Sequence, residues 1–333
     1  MLVAEIGEEA LLKELRNLFA ATARSVPVGI GDDAAVVEGA AGLQAVWTTD
    51  LFLEGVHFES GWQAPGQLGR KCLAVNLSDI AAMGAEPRYA LFSLACPGDT
   101  DAGNIIDVAR GLNDLAAETG VAVIGGDISE SREGLLLSVA AGGLVPAGKA
   151  VLRSGARAGD AILVTGYLGN AAGGLTLRRK DIESEYRSLR DAFLSPVPRL
   201  AEALLAREAG ATAMTDLSDG LASDLRHICV ESGMGAEIYH ERLPVHPELL
   251  EASSEYGWDL DNLVLAGGED YGLLFTMPAG AADAAALAIE GQTGTSVAVI
   301  GEIKAGKAMT VVCEYGRLAD LPEHGFDHFL PHG

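Results

Sequence analysis

The chain's 333 residues, 49% hydrophobic and 21% charged, can bury a large core and suggest two domains. A net charge of −24, from 23 basic and 47 acidic residues, repels DNA, RNA and anionic membranes; a phosphate ligand needs metal ions or a few placed Arg and Lys. Cys72, Cys96, Cys229 and Cys313 form no C-x-x-C pair, which argues against zinc or redox chemistry and for small core residues in a reducing compartment. The start, MLVAEIGEEA, lacks a signal-peptide layout, and no uncharged apolar stretch is long enough to span a bilayer. The chain therefore reads as soluble and cytoplasmic.

Leu11, Leu12, Leu15, Leu18 and Phe19 recur at helical spacing, which predicts an amphipathic helix over 8–20. Gly29-Ile30-Gly31-Asp32-Asp33-Ala34 imitates a dinucleotide fingerprint, but Val36 and Val37 predict a strand where that motif needs a helix. Asp32 and Asp33 are metal ligands or a plain Gly-Asp turn. Ala45 to Trp47 reads as a short buried strand ending on Thr48, Thr49 and Asp50, oxygen ligands that suit a hard cation, with His57 seven residues on. Residues 67–83 read as helix, polar break at Asn76-Leu77-Ser78-Asp79, then a second helix capped by Ser78 or Asp79.

Another amphipathic helix is expected over 102–119. A strand over 121–124 then runs into Gly125-Gly126-Asp127, and a further strand spans 135–141. Gly143 to Lys149 fits G-x-x-x-x-G-K, but Ala150 lacks the hydroxyl for Mg²⁺ and VLRSGARAGD is too turn-rich for a cradling helix. Residues 143–160 read instead as the crossing between domains. The second half opens with a strand over 161–165 and a Gly-rich turn over 166–174. Helices follow at 181–193 and 200–208. Ala213 to Thr215 leads to Asp216-Leu217-Ser218-Asp219-Gly220 and a helix from 221 to 231. Gly267-Gly268-Glu269-Asp270-Tyr271 precedes a strand over 273–277, a helix over 280–290 and a strand over 296–300.

Asp33, Asp50, Asp79, Asp127, Asp216 and Asp219 each sit at a turn rich in Gly, Ser or Thr, several of them at the end of an apolar strand. Convergent strand ends would form a carboxylate cup for more than one divalent ion, which suits phosphoryl transfer. Solvated acidic loops and helix caps are the plainer account of the same residues. No H-E-x-x-H and no G-x-S-x-G occurs, so zinc hydrolysis and serine nucleophilic catalysis have little support.

These stretches resemble the thiamine-monophosphate kinase family from end to end. The resemblance is carried by GIGDDAAV at 29–36, TTDLFLEGVHF at 48–58, AVNLSDIAAMGAEP at 74–87 and IGGD at 124–127. It continues through RSGA at 153–156, GD at 159–160, PVPR at 196–199, DLSDGLASDL at 216–225, GGEDY at 267–271 and GFDHF at 325–329. It implies transfer of the γ-phosphoryl of ATP to thiamine monophosphate. It also implies an N-terminal α+β domain, residues 1–147, whose strands pair across a homodimer as a β-barrel, and a C-terminal layered α/β domain, residues 148–333. By resemblance Asp33, Thr48, Thr49, Asp50, Asp79, Asp127 and Asp216 surround several Mg²⁺ ions, with Asp219 near a further one. Gly126, Asp127, Arg153 and Ser218 contact ATP, and His57, Glu269 and Phe326 contact the acceptor. The acceptor is already ionised, so no general base is expected. Nucleic acid and membrane are not expected partners. Ile128-Ser129 stand where the family often has Thr-Thr, and Gly272 where it often has Glu; the second change predicts a more mobile loop. A related ATP-dependent synthetase and a nucleotide-binding scaffold without turnover are the competing readings.

Overall fold

The computed structural model describes residues 27–28, 32–183, 185–313 and 316–322. The expected helix over 8–20 and the GFDHF stretch with Phe326 lie outside them. The described chain builds two sheets. The first joins β1 (Ala35–Glu38), β2 (Leu43–Leu53), β3 (Glu86–Cys96), β4 (Ala122–Glu130) and β5 (Leu136–Pro146) in the order β1-β2-β5-β3-β4. All its pairs are antiparallel except β3 with β4, which are parallel and joined through the amphipathic helix α2 (Ala102–Thr119). The sheet is open within one chain, with β1 and β4 at its edges.

The helix that organises the molecule is α1 (Pro65–Ala82), packed between this sheet, α2 and the second half of the chain. The successive residues Cys72, Leu73, Ala74 and Val75 are all buried, so burial runs around its circumference. A helix buried all round is a core helix, and each buried Leu, Val or Ile on it contributes about 1.5–3 kcal/mol by leaving water. The expected polar break does not exist: α1 runs unbroken through Asn76-Leu77-Ser78-Asp79. Asn76 satisfies itself inside the helix by donating from Nδ2 to the Cys72 carbonyl, and its Oδ1 accepts from the Asp50 backbone N–H. Polar groups that look like caps in a sequence are here inward-facing side chains paired across the fold. The helix stops at Gly84, φ 63°, with Ala85 N–H returning to the Ile80 carbonyl.

The second sheet has the order β12-β11-β8-β10-β6-β9-β7. Its members are β6 (Asp160–Thr165), β7 (Ala213–Asp216), β8 (Gly235–Tyr239), β9 (Leu273–Pro278), β10 (Val297–Lys304), β11 (Met309–Val312) and β12 (Leu318–Asp320). Every residue of β6 is buried, as a strand covered on both faces must be. One face packs against α6 (Leu221–Ser232) and α8 (Leu260–Ala266). The other packs against α5 (Leu200–Glu208), α9 (Ala279–Thr293) and Ala81 of α1.

Other boundaries moved. β2 and β4 do not end on their polar residues but continue through Thr48-Thr49-Asp50 and Gly125-Gly126-Asp127. β5 extends through Gly143 to Pro146, and no helix follows Lys149, which agrees with the rejection of a phosphate loop there. The Gly-rich stretch 166–174 already contains the start of helix α3 (Asn170–Arg179), and the helix expected over 181–193 is only α4 (Arg187–Leu194). Helix α7 (Pro247–Tyr256) and strands β3 and β8 were not expected.

Candidate active site

The carboxylates converge at the junction of the two sheets. β2 brings Thr48 and Asp50, α1 brings Ser78 and Asp79, the segment before β1 brings Asp33, and the end of β7 brings Asp216. One oxygen from each of Asp33, Asp79 and Asp216 lies within 4.8 Å of the others. Asp33 and Asp216 are 9% and 1% exposed. Three carboxylates crowded and dehydrated in this way repel one another. Burial, then Asp50 and Asp216, push the Asp79 carboxyl far above the usual carboxylate range, although Thr48 Oγ1 donates to its Oδ2 at 2.5 Å. Burial and then Asp33 raise Asp216 to about 7, and burial raises Asp50 to about 6. Ser78 Oγ lies close enough to Asp216 to lower its pKa in part, but neither Ser78 Oγ nor Asp216 Oδ2 has a partner of hydrogen-bond geometry.

A buried, unpartnered carboxylate oxygen inside an all-oxygen cluster fits a hard divalent cation, which would offset the repulsion and supply the missing partner. Arg153 is the only cation bonded to the cluster among the described residues. Its Nε and Nη2 donate to Asp33 Oδ2 and Oδ1 at 3.1 and 2.9 Å, and its backbone N–H donates to Asp32. Thr215 Oγ1 also donates to Asp33 Oδ1. Burial and then Asp33 raise Asp32 to about 7.

A cavity of about 660 Å³ opens from this cluster. Asp50, Asp79, Asp216, Ser218 and Asp219 form one end, and Val56, Trp62, Leu175 and Phe193 form an apolar end. His57 lines it while accepting the Leu53 N–H on Nδ1 at 3.0 Å and stacking on Phe52. Glu269 also lines it, in a loop that zips onto the 217–219 loop: Glu269 and Tyr271 N–H groups bond the Ser218 and Leu217 carbonyls. Glu269 and Tyr271 hold φ of 66° and 46°, conformations that cost energy outside glycine and recur at ligand sites. Gly272 is buried, and a Cβ there would lie 2.6 Å from the Thr165 carbonyl oxygen. The loop is therefore held tightly, against the mobility expected from that glycine.

The structure gathers Asp33, Thr48, Asp50, Asp79, Asp216, Ser218, Asp219, Arg153, His57 and Glu269 in and around this cavity. Thr49 lines the cavity too, but strand alternation puts its side chain on the opposite face from Thr48 and Asp50, and its hydroxyl donates to the Val139 carbonyl. Gly126 and Asp127 lie on the exposed edge strand β4 and are absent from the lining. Gly126 has a packing reason of its own: a Cβ there would sit 1.7 Å from the Phe92 carbonyl oxygen. Ile128 is 75% exposed on the same strand.

Sequence reasoning passed over Lys71, Trp62, Phe193 and Asp224. Asp224, on α6, accepts the Asp219 and Gly220 N–H groups and so shapes the 217–220 loop. The one available signal was Lys71, which with Arg70 precedes the apolar run CLAVNL and lies eight residues before Asp79 on the same helix.

Comparison with known proteins gives the same picture. Residues 31–145 match the N-terminal domain of AIR synthase related proteins, and residues 157–314 match the C-terminal domain. The chain is 37% identical to thiamine-monophosphate kinase of Bacillus subtilis (strain 168), over 76% of this chain and 78% of that protein. It is 34% identical to thiamine-monophosphate kinase of Escherichia coli (strain K12), over 97% and 98%. The solved structure of AaThiL complexed with AMPPCP and TMP superposes with a TM-score of 0.87 at 31% identity, covering 98% of this chain and 99% of that one. The chain belongs to the thiamine-monophosphate kinase family of the AIR synthase related proteins.

Proposed function

We infer that this chain is an ATP-dependent kinase that transfers the γ-phosphoryl of ATP to the phosphate of thiamine monophosphate, giving thiamine diphosphate and ADP. The observation that carries the reading is the two-ended cavity: an oxygen cluster with an unpartnered buried carboxylate at one end and an apolar, aromatic slot at the other. The clustered end suits polyphosphate and metal, and the slot suits a ring.

Asp33, Asp79 and Asp216, with Asp50 and Thr48 beside them, would hold Mg²⁺, and Asp219 a further ion. When bound, such ions neutralise phosphate charge and polarise the transferred group. The chain's own residues do the rest. Arg153, anchored by Asp33, faces the phosphates of ATP with Ser218 and supports charge on the transferred group. The acceptor oxygen is ionised near neutral pH, so no side chain needs to take its proton. His57 closes the acceptor side, its ring oriented by the Leu53 N–H, and Glu269 accepts a hydrogen bond from the acceptor's amino group. Phe326 would complete the acceptor site. By the family resemblance Thr49 and Asp127 would serve the Mg²⁺ ions, and Gly126 with Asp127 would contact ATP.

A second copy completes the first sheet. Leu43, Trp47 and Leu51 on β2, with Tyr89 and Leu91 on β3, are 37–46% exposed, and the strand register places them on one face. That patch supports the pairing of two open sheets into a homodimeric barrel. The reading is tested by incubating the protein with ATP, Mg²⁺ and thiamine monophosphate. Thiamine diphosphate and ADP in equal amounts are expected. ATP binding without product across varied metal and pH overturns the kinase reading.

A further inference from the structure

Lys71 is 2% exposed, although a lysine is almost never buried without a partner. Its Nζ lies 2.9 Å from Glu269 Oε2 and 3.9 Å from the centre of the Phe193 ring. The contact joins α1, which packs on the first sheet, to the loop before β9 of the second. Lys71, Val75 and Asp79 follow one another at i, i+4 and i+8, so they share one face of α1. Val75 and Asp79 line the cavity. At 1.5 Å per residue that face spans about 12 Å, with Asp79 in the carboxylate cluster and Lys71 under the acceptor side.

The backbone at Glu269 is already fixed. Its N–H bonds the Ser218 carbonyl, and the next residue, Asp270, accepts the Gly169 and Ala171 N–H groups at the start of α3. Only the side-chain torsions of Glu269 are left to set. Without a cation beneath it, that carboxylate would add to a wall that already carries Asp50, Asp79, Asp216 and Asp219. It would then be free to swing toward any cation bound there. With Lys71 in place one oxygen is tied down and its charge is matched. The side chain is still 27% exposed to the cavity.

We propose that Lys71 is a positioning residue: it pins Glu269 at the acceptor end of the cavity and keeps that carboxylate out of the cation cluster. The claim rests on Glu269 contacting the acceptor. It makes α1 a ruler that sets the distance between the metal end and the acceptor end. The lysine also uses the Phe193 ring face, which leaves Trp62, edge-on to Phe193 at 5.9 Å, as the open aromatic wall.

The test compares Lys71→Met, Glu269→Gln and the double variant in steady-state kinetics, with melting temperature as a fold control. Lys71→Met is expected to raise KM for thiamine monophosphate about tenfold, the scale of one lost charge-assisted hydrogen bond. KM for ATP should hold. The Mg²⁺ concentration needed for half-maximal rate should fall, because a freed carboxylate joins the cluster. The double variant should be no worse than Glu269→Gln alone. If Glu269→Gln leaves the acceptor KM unchanged, the acceptor role of Glu269 falls and the route proposed for Lys71 falls with it. If Glu269→Gln raises it and Lys71→Met does not, only the Lys71 assignment falls. Equal effects on the ATP and acceptor KM values, or effects that multiply in the double variant, also overturn it. Lys71→Gln keeps one N–H donor and replaces the Met variant should that fail to fold; it is expected to give an intermediate acceptor KM, and an unchanged KM refutes the proposal.

Discussion

Replacing Asp216 by Asn separates what the carboxylate cluster does for folding from what it does for function. Asp216 is 1% exposed, and burial followed by Asp33 lifts its pKa from 3.8 to about 7. A tenfold change in proton affinity is worth about 1.4 kcal/mol, so holding Asp216 ionised in the metal-free fold costs on the order of 4 kcal/mol. The folded pKa lies above the unfolded one, which sets the sign. Below 3.8 the group is protonated in both states and costs nothing; the penalty grows as pH rises toward 7 and is constant above. The amide of Asp216→Asn carries no charge and offers an N–H₂ toward its acidic neighbours. In chelator at pH 8 the variant should therefore melt higher than the parent, on the order of 5 °C for a chain of this size. The advantage should shrink away near pH 4. Adding Mg²⁺ closes most of the gap: the parent should gain about 3 kcal/mol at a hundredfold excess over its dissociation constant, and the variant much less. Turnover should fall at least about a hundredfold, as when a preorganised charge contact is lost. Scanning calorimetry with and without Mg²⁺ at the two pH values checks this. A variant that melts lower than the parent in chelator at pH 8, or that gains as much from Mg²⁺, refutes the metal-cluster reasoning.

The other predictions concern packing and assembly. Gly126→Ala puts a methyl 1.7 Å from the Phe92 carbonyl oxygen and should destabilise the fold by at least about 2 kcal/mol, visible in urea unfolding without any nucleotide present. An unchanged midpoint would leave ATP binding as that glycine's sole role. Trp47→Asp removes a 41% exposed ring from the apolar face of the first sheet and should convert a dimer to monomer in sedimentation. A variant that still sediments as a dimer refutes that face as the interface.

The chemistry was more legible than the boundaries. Asp33, Asp50, Asp79 and Asp216 were singled out as carboxylates beside small or hydroxylic residues, and they do converge. The elements carrying them were misread where a functional residue imitates a stop signal. Asn76-Leu77-Ser78-Asp79 has the composition of a helix end, yet it lies inside α1, because tertiary partners take up polar groups along it: Asn76 on Asp50 N–H and Asp79 on Thr48. Thr48-Thr49-Asp50 likewise sits mid-strand, since an eleven-residue strand can carry polar side chains wherever its neighbours supply partners.

That same strand explains why a grouped sequence motif need not be a grouped site. Side chains alternate along β2, so Thr48 and Asp50 enter the cluster while Thr49 belongs to the face that carries Trp47 and Leu51. A run of three oxygen-bearing residues is a natural ligand set only in a loop or at a strand's frayed end. In a paired strand at most every second one can reach the same cation from one side. Asp127 follows the same rule on β4: it pairs with Ser93, which pairs with Ser138, which pairs with Leu51, on the row of the exposed face. Thr49 and Asp127 thus share one side of the sheet, and Asp33, Asp79 and Asp216 gather on the other. Thr49 and Leu51 nevertheless line the cavity, so the cavity reaches that side of the sheet past β2, and no residue of β4 lines it.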